Sequence, residues 1–534
     1  MSGGATYGGQ TVLAACPPRW GVVTAVALAL LAGCSPGGEL SQESARKGGT
    51  LTVTLPDPPD SLDPAVADSP VALRALWLTH TAPLSFAHAP GAAGSELVPG
   101  LARELPEVSD EGRRITFRLR RGLRYSDGRA LRTADFERAV KRALVLNPRG
   151  LELLGSIAGA RRYARDPQVG VDIEGIETRR FGGKVRITLT APDPTILMAL
   201  ALPMSAPVPA GYATTDRSRH PPPGIGSYRL GRAREGRDFT LVRERSFGLP
   251  GIPAGNADEI VGKVVDDRRR AATATIDGFV DASEGDPPLD LLPSIRSKYK
   301  DRYDEQQTLA LDFLRLDASR PPFDDRDARR AVGFAIDEAA LSRVRDGLLE
   351  PTCNLIVPSV PGYRELDPCP YGDREGDSDL VKARQLLGES AAVAAPVLVA
   401  VEEVPHGKAL ERDVVATLRK IGLRARVART PAQRRRARIS LGRRLPSVPH
   451  PVRYLRAVDD PLLNGRVTLL ALEGEPQDHA DAWATVDRET VESARVLPYG
   501  VETVGVLLSE RLDATNCRRF SPVYGLDWSS LCLR

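Results

Sequence analysis

The chain has 534 residues, 42% of them hydrophobic, with 73 Lys and Arg against 69 Asp and Glu for a net charge of +4. So slight an excess over so long a chain leaves no electrostatic footprint for nucleic acid. Its length also excludes a single small core, because one core stops growing at about 250–300 residues and longer chains divide into packed units.

The first element is apolar. Trp20 to Ala32 is nearly unbroken hydrophobic sequence behind one cation, Arg19. It is shorter than the roughly 20 residues that span a bilayer and ends in small residues, so it reads as the core of a secretory signal peptide, residues 1–33. The segment before it, Met1 to Pro18, is unusual for a leader in carrying no charge. Leu31-Ala32-Gly33-Cys34 resembles a bacterial lipobox, which implies that Cys34 is acylated and becomes the mature N-terminus. Residues 34–47 are small and polar and read as a tether between lipid and domain. No later stretch is apolar for long enough to cross a membrane.

Cys16 leaves with the leader and Cys34 goes to lipid, leaving Cys353, Cys369, Cys517 and Cys532. An even remainder in an exported chain reads as two disulfides. Of the three possible pairings, the sequential one closes two short loops and is expected. Neither pair has the spacing of a zinc site, and no metal or other cofactor is expected.

Along the chain, Leu51, Val53 and Leu55 alternate as in a strand, as do Ile115, Phe117 and Leu119. Ser126-Asp127-Gly128 has the composition of a turn. Thr133 is placed to cap a helix whose buried face is Phe136, Val140, Ala143 and Leu144, spaced i, i+4, i+7 and i+8. Val185, Ile187 and Leu189, then Phe239 and Leu241, predict two further strands. Asp325 can cap a helix striped by Ala328, Val332, Ala335, Ile336 and Ala339. "APVLVAVEEV" reads as a buried strand. Leu410, Val414, Leu418 and Ile421 mark a helix that Gly422 ends, and "LRARVAR" alternates into another strand. Strand, helix, strand in that order predicts parallel pairing through a crossover. The fold class is mixed α/β in at least two lobes. No repeat is apparent, and 44 prolines imply many irregular connections.

Catalytic signatures are scarce. H-E-x-x-H, C-x-x-C and the phosphate-cradling G-x-x-x-x-G-K-[ST] are all missing, and in "GIGSYRLG" Arg229 occupies the place of a third glycine. Six histidines lie far apart in sequence and read as surface residues. The densest basic run, "RTPAQRRRARIS", contains Arg429, Arg434, Arg435, Arg436 and Arg438. It could meet an anionic membrane or a phosphate, but with no interleaved aromatics it reads as a solvated loop. An exported chain in several lobes, without catalytic apparatus, suits a receptor better than an enzyme.

Several stretches resemble one family, the extracytoplasmic solute-binding proteins of peptide- and nickel-type ABC importers. They are "GGTLTVTLPDPPDSLDPAVA", "LVPGLARELPEVSDEGRRITFRLRRGLRYSDGRALRTADFERAVKRAL", "PPGIGSYRLGRAREGRDFTLVRE", "RPPFDDRDARRAVGFAIDEAAL", "DLVKARQLLGES", "LERDVVATLRKIGLRARV" and "WATVDRETVESARVLPYG". Together they cover most of residues 48–505 in register. The resemblance implies a two-lobed periplasmic-binding-protein-like fold with a third subdomain inserted in the first lobe. By it the first lobe is 48–300 with the insertion at about 78–215, the second lobe is 301–490, and 491–534 returns to the first. It also implies a small peptide or other small solute as ligand, ABC permease subunits as partners and a monomer tethered to the cell membrane.

The loop Pro56 to Asp63 is expected at the cleft, with Asp57 and Asp60 either meeting a ligand ammonium or stabilising a turn. Many peptide binders of this family carry a W-x-x-D-Y-P-like stretch whose aspartate pairs with the peptide N-terminus. The matching stretch here, "GRRLPSVPHPVRYL", has Arg444 for the tryptophan and Ser447 for the aspartate. A serine supplies no charge for an ammonium, so either another acid does so or the ligand has no free N-terminus, and Arg444 could take a carboxylate or phosphate. The changed stretch also admits a solute sensor or a surface binding protein that has lost uptake. A secreted hydrolase with a triad assembled in space is the reading from another class.

Overall fold

In the computed structural model the described residues are 47–168, 170–178, 183–234, 237–372, 378–388, 396–456 and 460–534. The expected signal peptide and Cys34 lie outside them. The described chain up to Arg534 belongs to a single compact unit.

An eleven-stranded sheet runs through that unit. In chain order its main strands are β1 (Thr50–Leu55), then β4 (Tyr228–Arg234), β5 (Asp238–Arg243), β6 (Glu259–Val264) and β7 (Ala282–Glu284), after β2 (Arg114–Arg118) and β3 (Lys184–Thr188) of a separate sheet. They continue with β8 (Tyr303–Leu316), β9 (Val397–Val401), β10 (Ala425–Val427), β11 (Ile439–Arg444) and β12 (Val496–Leu508). The order across the sheet is β10-β9-β11-β8-β12-β7-β1-β6-β5-β4. The two longest strands, β8 and β12, pair antiparallel at the middle. The two sides of this pair carry separate cores, and we refer to them as the first lobe (β1 and β4–β7) and the second lobe (β9–β11).

The alternations read from sequence become buried faces. Leu51, Val53 and Leu55 are buried on β1, which pairs parallel with β6. Ile115 and Phe117 on β2 face Ile187 and Val185 of β3 across an antiparallel ladder in the four-stranded sheet, away from the main one. The helix α1 (Ala134–Leu146) lays Phe136, Val140, Ala143 and Leu144 on this small sheet, and the Phe117 and Phe136 rings meet edge to face at 5.6 Å. Thr133 stands at the N-cap, but its side chain accepts no cap hydrogen bond. Asp135, in the first turn, takes the Arg132 N–H at 2.9 Å and the Tyr125 hydroxyl at 3.1 Å instead. A carboxylate there also suits the positive end of the helix dipole.

In the second lobe, Asp325 caps α2 (Arg326–Ala335) by accepting the Asp327 N–H at 2.8 Å. Strand β9, helix α3 (Gly407–Lys420) and strand β10 form the expected parallel unit. Gly422 follows the helix with φ +100°, a conformation glycine alone adopts without strain, and Leu423 N–H reaches back to Leu418 O at 3.1 Å. The structure pairs Cys353 with Cys369 and Cys517 with Cys532. The segment after Cys517 is held in the first lobe by buried Trp528, over which Arg74 lies at 5.2 Å, and by an Asp527–His88 contact of 2.8 Å. Among the described residues no helix is long and apolar enough to cross a membrane.

Candidate functional site

Among the described residues, contacts between the lobes include three. Ser95 donates its hydroxyl to Ser359 O at 2.6 Å. Arg453 of the second lobe pairs with Glu152 and donates to Thr195 Oγ1 at 3.2 Å, both beside the small sheet. Val448, fully buried, packs into the hydrophobic core of the first lobe although it follows β11.

Beside Arg453 lies a cavity of about 410 Å³ walled by Glu152, Asp193 and Thr195 on one side and by Arg444, Arg453 and Arg456 on the other. The sequence places these groups simply. Asp193 sits in the Pro192-Asp193-Pro194 turn, where its Oδ1 takes the Thr195 N–H and hydroxyl, both at 2.9 Å. Arg453 and Arg456 are three apart, on and just after a helical turn at Val452–Leu455, and so share a face. Arg444 ends β11. Its Nη1 donates to Arg453 O at 2.9 Å and Tyr454 O at 3.1 Å, and its guanidinium lies 5.7 Å from the Phe313 ring. Burial lowers the Arg444 pKa, with the charge of Arg315 acting in the same sense. Acids on one wall and guanidinium forks on the other can hold a zwitterion across the gap.

Ser447 is half-buried, three residues from Arg444, with no side-chain hydrogen bond among the described residues. Asp57 and Asp60 are elsewhere. Asp57 is exposed and lines a cavity of about 130 Å³ with Arg268, Glu284 and Asp286. Asp60 is exposed too, and its carboxylate is taken by its own loop: Oδ1 accepts the Ser69 hydroxyl at 2.6 Å and Oδ2 the Asp68 N–H at 2.8 Å. Of the four residues expected at the ligand, Arg444 lines this cavity, while Ser447, Asp57 and Asp60 are not among its lining residues. Glu152, Asp193 and Arg453 were not singled out from sequence. The Asp-Pro turn and the Arg-x-x-Arg spacing were the available signals, and neither says what stands opposite.

Where β8 and β12 cross between lobes, charge is buried. Arg345 is 1% exposed and reaches Glu502 at 3.4 Å, Asp286 at 3.5 Å and Asp312 at 3.7 Å, while Arg443 also pairs with Glu502. Beside this group a cavity of about 540 Å³ opens, lined by Gln307, Ser342, Glu350, Ser359 and Thr503. Burial pushes the Asp312 carboxyl up to about 7, outweighing Arg345 and Arg443. A carboxyl raised in this way keeps a proton that the unfolded chain has released, so its contribution to stability is lost as pH rises from about 4 to 7. Asp312→Asn is expected to gain on the parent between pH 5 and pH 8 by on the order of 2–3 kcal/mol. Urea unfolding at the two pH values checks this; an equal difference at both would contradict it.

A family model described as bacterial extracellular solute-binding proteins, family 5, matches residues 96–459. The chain belongs to this family. Among curated relatives, the glutathione-binding protein GsiB of Escherichia coli O1:K1 is 26% identical over 289 residues, 53% of this chain and 51% of that protein. GsiB of Salmonella choleraesuis is also 26% identical, over 296 residues and the same shares of each chain. The chain thus spans about half the length of the curated relatives it matches. A solved structure of the clavulanic acid biosynthesis oligopeptide binding protein 2 superposes with a TM-score of 0.80 at 23% identity, over 91% of this chain and 96% of that one. The periplasmic murein tripeptide binding protein MppA, in an unliganded open form, superposes with a TM-score of 0.75 at 16% identity, over 92% and 99%. The fold of this family 5 protein is therefore the two-lobed mixed α/β fold of these binding proteins.

Proposed function

We propose that this protein is an extracytoplasmic receptor, anchored to the cell membrane through acylated Cys34, that binds a short peptide between its lobes and delivers it to the permease subunits of an ABC importer. In this reading it acts as a monomer, without cofactor and without catalysis. The lobes are residues 48–300 with 491–534, and 301–490, with the insertion at about 78–215; the core of β1–β7 on one side and that of β9–β11 on the other support the division. One observation carries the ligand class: one cavity of about 410 Å³ is lined by the acids Glu152 and Asp193 and by Arg444, Arg453 and Arg456, with Glu152 paired to Arg453. A peptide ammonium goes to the acids, which supply the charge that Ser447 lacks, and its carboxylate goes to Arg444 and Arg456. Relatives named for oligopeptides, murein tripeptide and glutathione support this class. A second reading, an anionic non-peptide solute in a sensor or a surface protein without uptake, is favoured by the three arginines against two acids in the same cavity.

Thermal unfolding with a library of di- to pentapeptides and their N-acetyl forms separates the two. At 100 times its dissociation constant a ligand adds about 2.7 kcal/mol to stability. The peptide reading predicts that free peptides raise the melting temperature and that N-acetylation weakens binding tenfold or more. Equal response to both forms would remove the ammonium contact, and response only to small anions would favour the second reading.

A further inference from the structure

One further cavity lies away from the contact between the lobes. It measures about 750 Å³ and lies at the far end of the second lobe's sheet, walled by Arg315, Arg320, Arg434, Arg435, Arg438 and Arg495. These six come from three separate stretches of chain: the end of β8 and the turn after it, the basic run before β11, and the start of β12. Two acids line the same cavity, and a third, Asp460, lies 3.9 Å from Arg495. Glu402 pairs with Arg315 at 3.0 Å, and Asp317 pairs with Arg320 and lies 3.8 Å from Arg438. Arg434 and Arg435 are exposed, with no ion-pair partner among the described residues.

The floor explains why the cavity exists. Leu311, Phe313 and Arg315 alternate on one face of β8, opposite Arg444, Gly442 and Ser440 of β11, and Ala400 of β9 continues that face beyond Ser440. At the Leu311 and Phe313 end the face belongs to a hydrophobic core with Tyr454, Leu470 and Trp483. At the other end Arg315, Ser440 and Ala400 replace the large apolar residues that a covered sheet face carries. Small residues leave the depth and arginines line it. A concave site with a surplus of one charge concentrates the opposite charge from solution. One guanidinium fork satisfies one carboxylate, whereas several converging forks match an anion with several oxygens, such as a phosphate group.

We propose that this cavity is a second binding site, separate from the interlobe cleft, for an anion bearing phosphate groups, either a free diphosphate or the phosphodiester headgroup of an anionic lipid. The basic run that reads from sequence as a solvated loop is one wall of it.

The test is calorimetric titration of the whole protein with inorganic pyrophosphate at 0.15 M salt, paired with co-sedimentation on phosphatidylglycerol and phosphatidylcholine vesicles. The variants are Arg434→Ala/Arg435→Ala, exposed and outside the core, and a control, Arg103→Ala/Arg121→Ala, exposed in the other lobe. The site predicts saturable binding that weakens at least tenfold in the first variant and stays within twofold in the control. Binding to pyrophosphate assigns a free anion as the source. Binding only to phosphatidylglycerol vesicles assigns a headgroup. No binding to either probe, or equal weakening by both variants, overturns the proposal.

Discussion

Replacing Arg142 by alanine is expected to destabilise the protein by about 3–5 kcal/mol, the cost of leaving a buried charge without its partner. Arg142, on α1, and Asp63, at the end of the loop after β1, form an ion pair in which both side chains are 0% exposed. Each is held from other sides as well. Asp63 accepts the Ala65 N–H at 3.1 Å and the Arg217 N–H at 2.9 Å, and Arg142 donates to Ala213 O and to Thr215 O at 3.1 Å. The pair thus ties the helix on the small sheet to the main sheet of the first lobe. Asp63→Leu combined with Arg142→Met should recover most of the loss, because no charge is then buried, but not all of it, since two backbone N–H groups lose their acceptor. Urea unfolding of the two variants decides. A single variant within 1 kcal/mol of the parent would mean that water reaches the pair.

The second large effect concerns closure. Val448 is 0% exposed and is the residue of the second lobe that enters the first lobe's core. Each lobe has its own core without it. Aspartate at this position would have to be buried without a partner whenever the lobes meet, at a cost of several kcal/mol. Val448→Asp is therefore expected to stay folded but open. A shift of about 3 kcal/mol against the closed state lowers ligand affinity more than a hundredfold, because only the competent fraction binds. Small-angle scattering reads the opening directly as a larger radius of gyration, while circular dichroism stays that of the parent. An unchanged radius would show that Val448 does not hold the lobes together.

The sequence reveals local order and hides what distant segments do together. Alternation in Leu51-Val53-Leu55 and the stripe from Phe136 to Leu144 are local signals, and both are buried faces in the structure. The crossover from β9 through α3 to β10 is local in the same sense. The Asp63–Arg142 pair spans 79 residues of sequence, and neither side chain differs in kind from the many surface acids and arginines around it. Thr133 had the right type for a cap, but Asp135 beside it competes with the advantage of charge. Arg444 stood out only because a tryptophan is expected there by resemblance, and its opposing wall, Glu152 and Asp193, lies some 250–290 residues away in the chain and carries no mark. The basic run was conspicuous as composition, yet its meaning depends on Arg315 and Arg495, which the sheet order alone brings beside it.

Native mass spectrometry of the protein purified from rich medium, followed by denaturing release, tests most directly that a solute is held between the lobes. A peptide receptor gives a mass above that of the bare chain and a released set of short peptides, reduced in Val448→Asp. A bare mass, with no change in melting temperature on adding the peptide library, would contradict it.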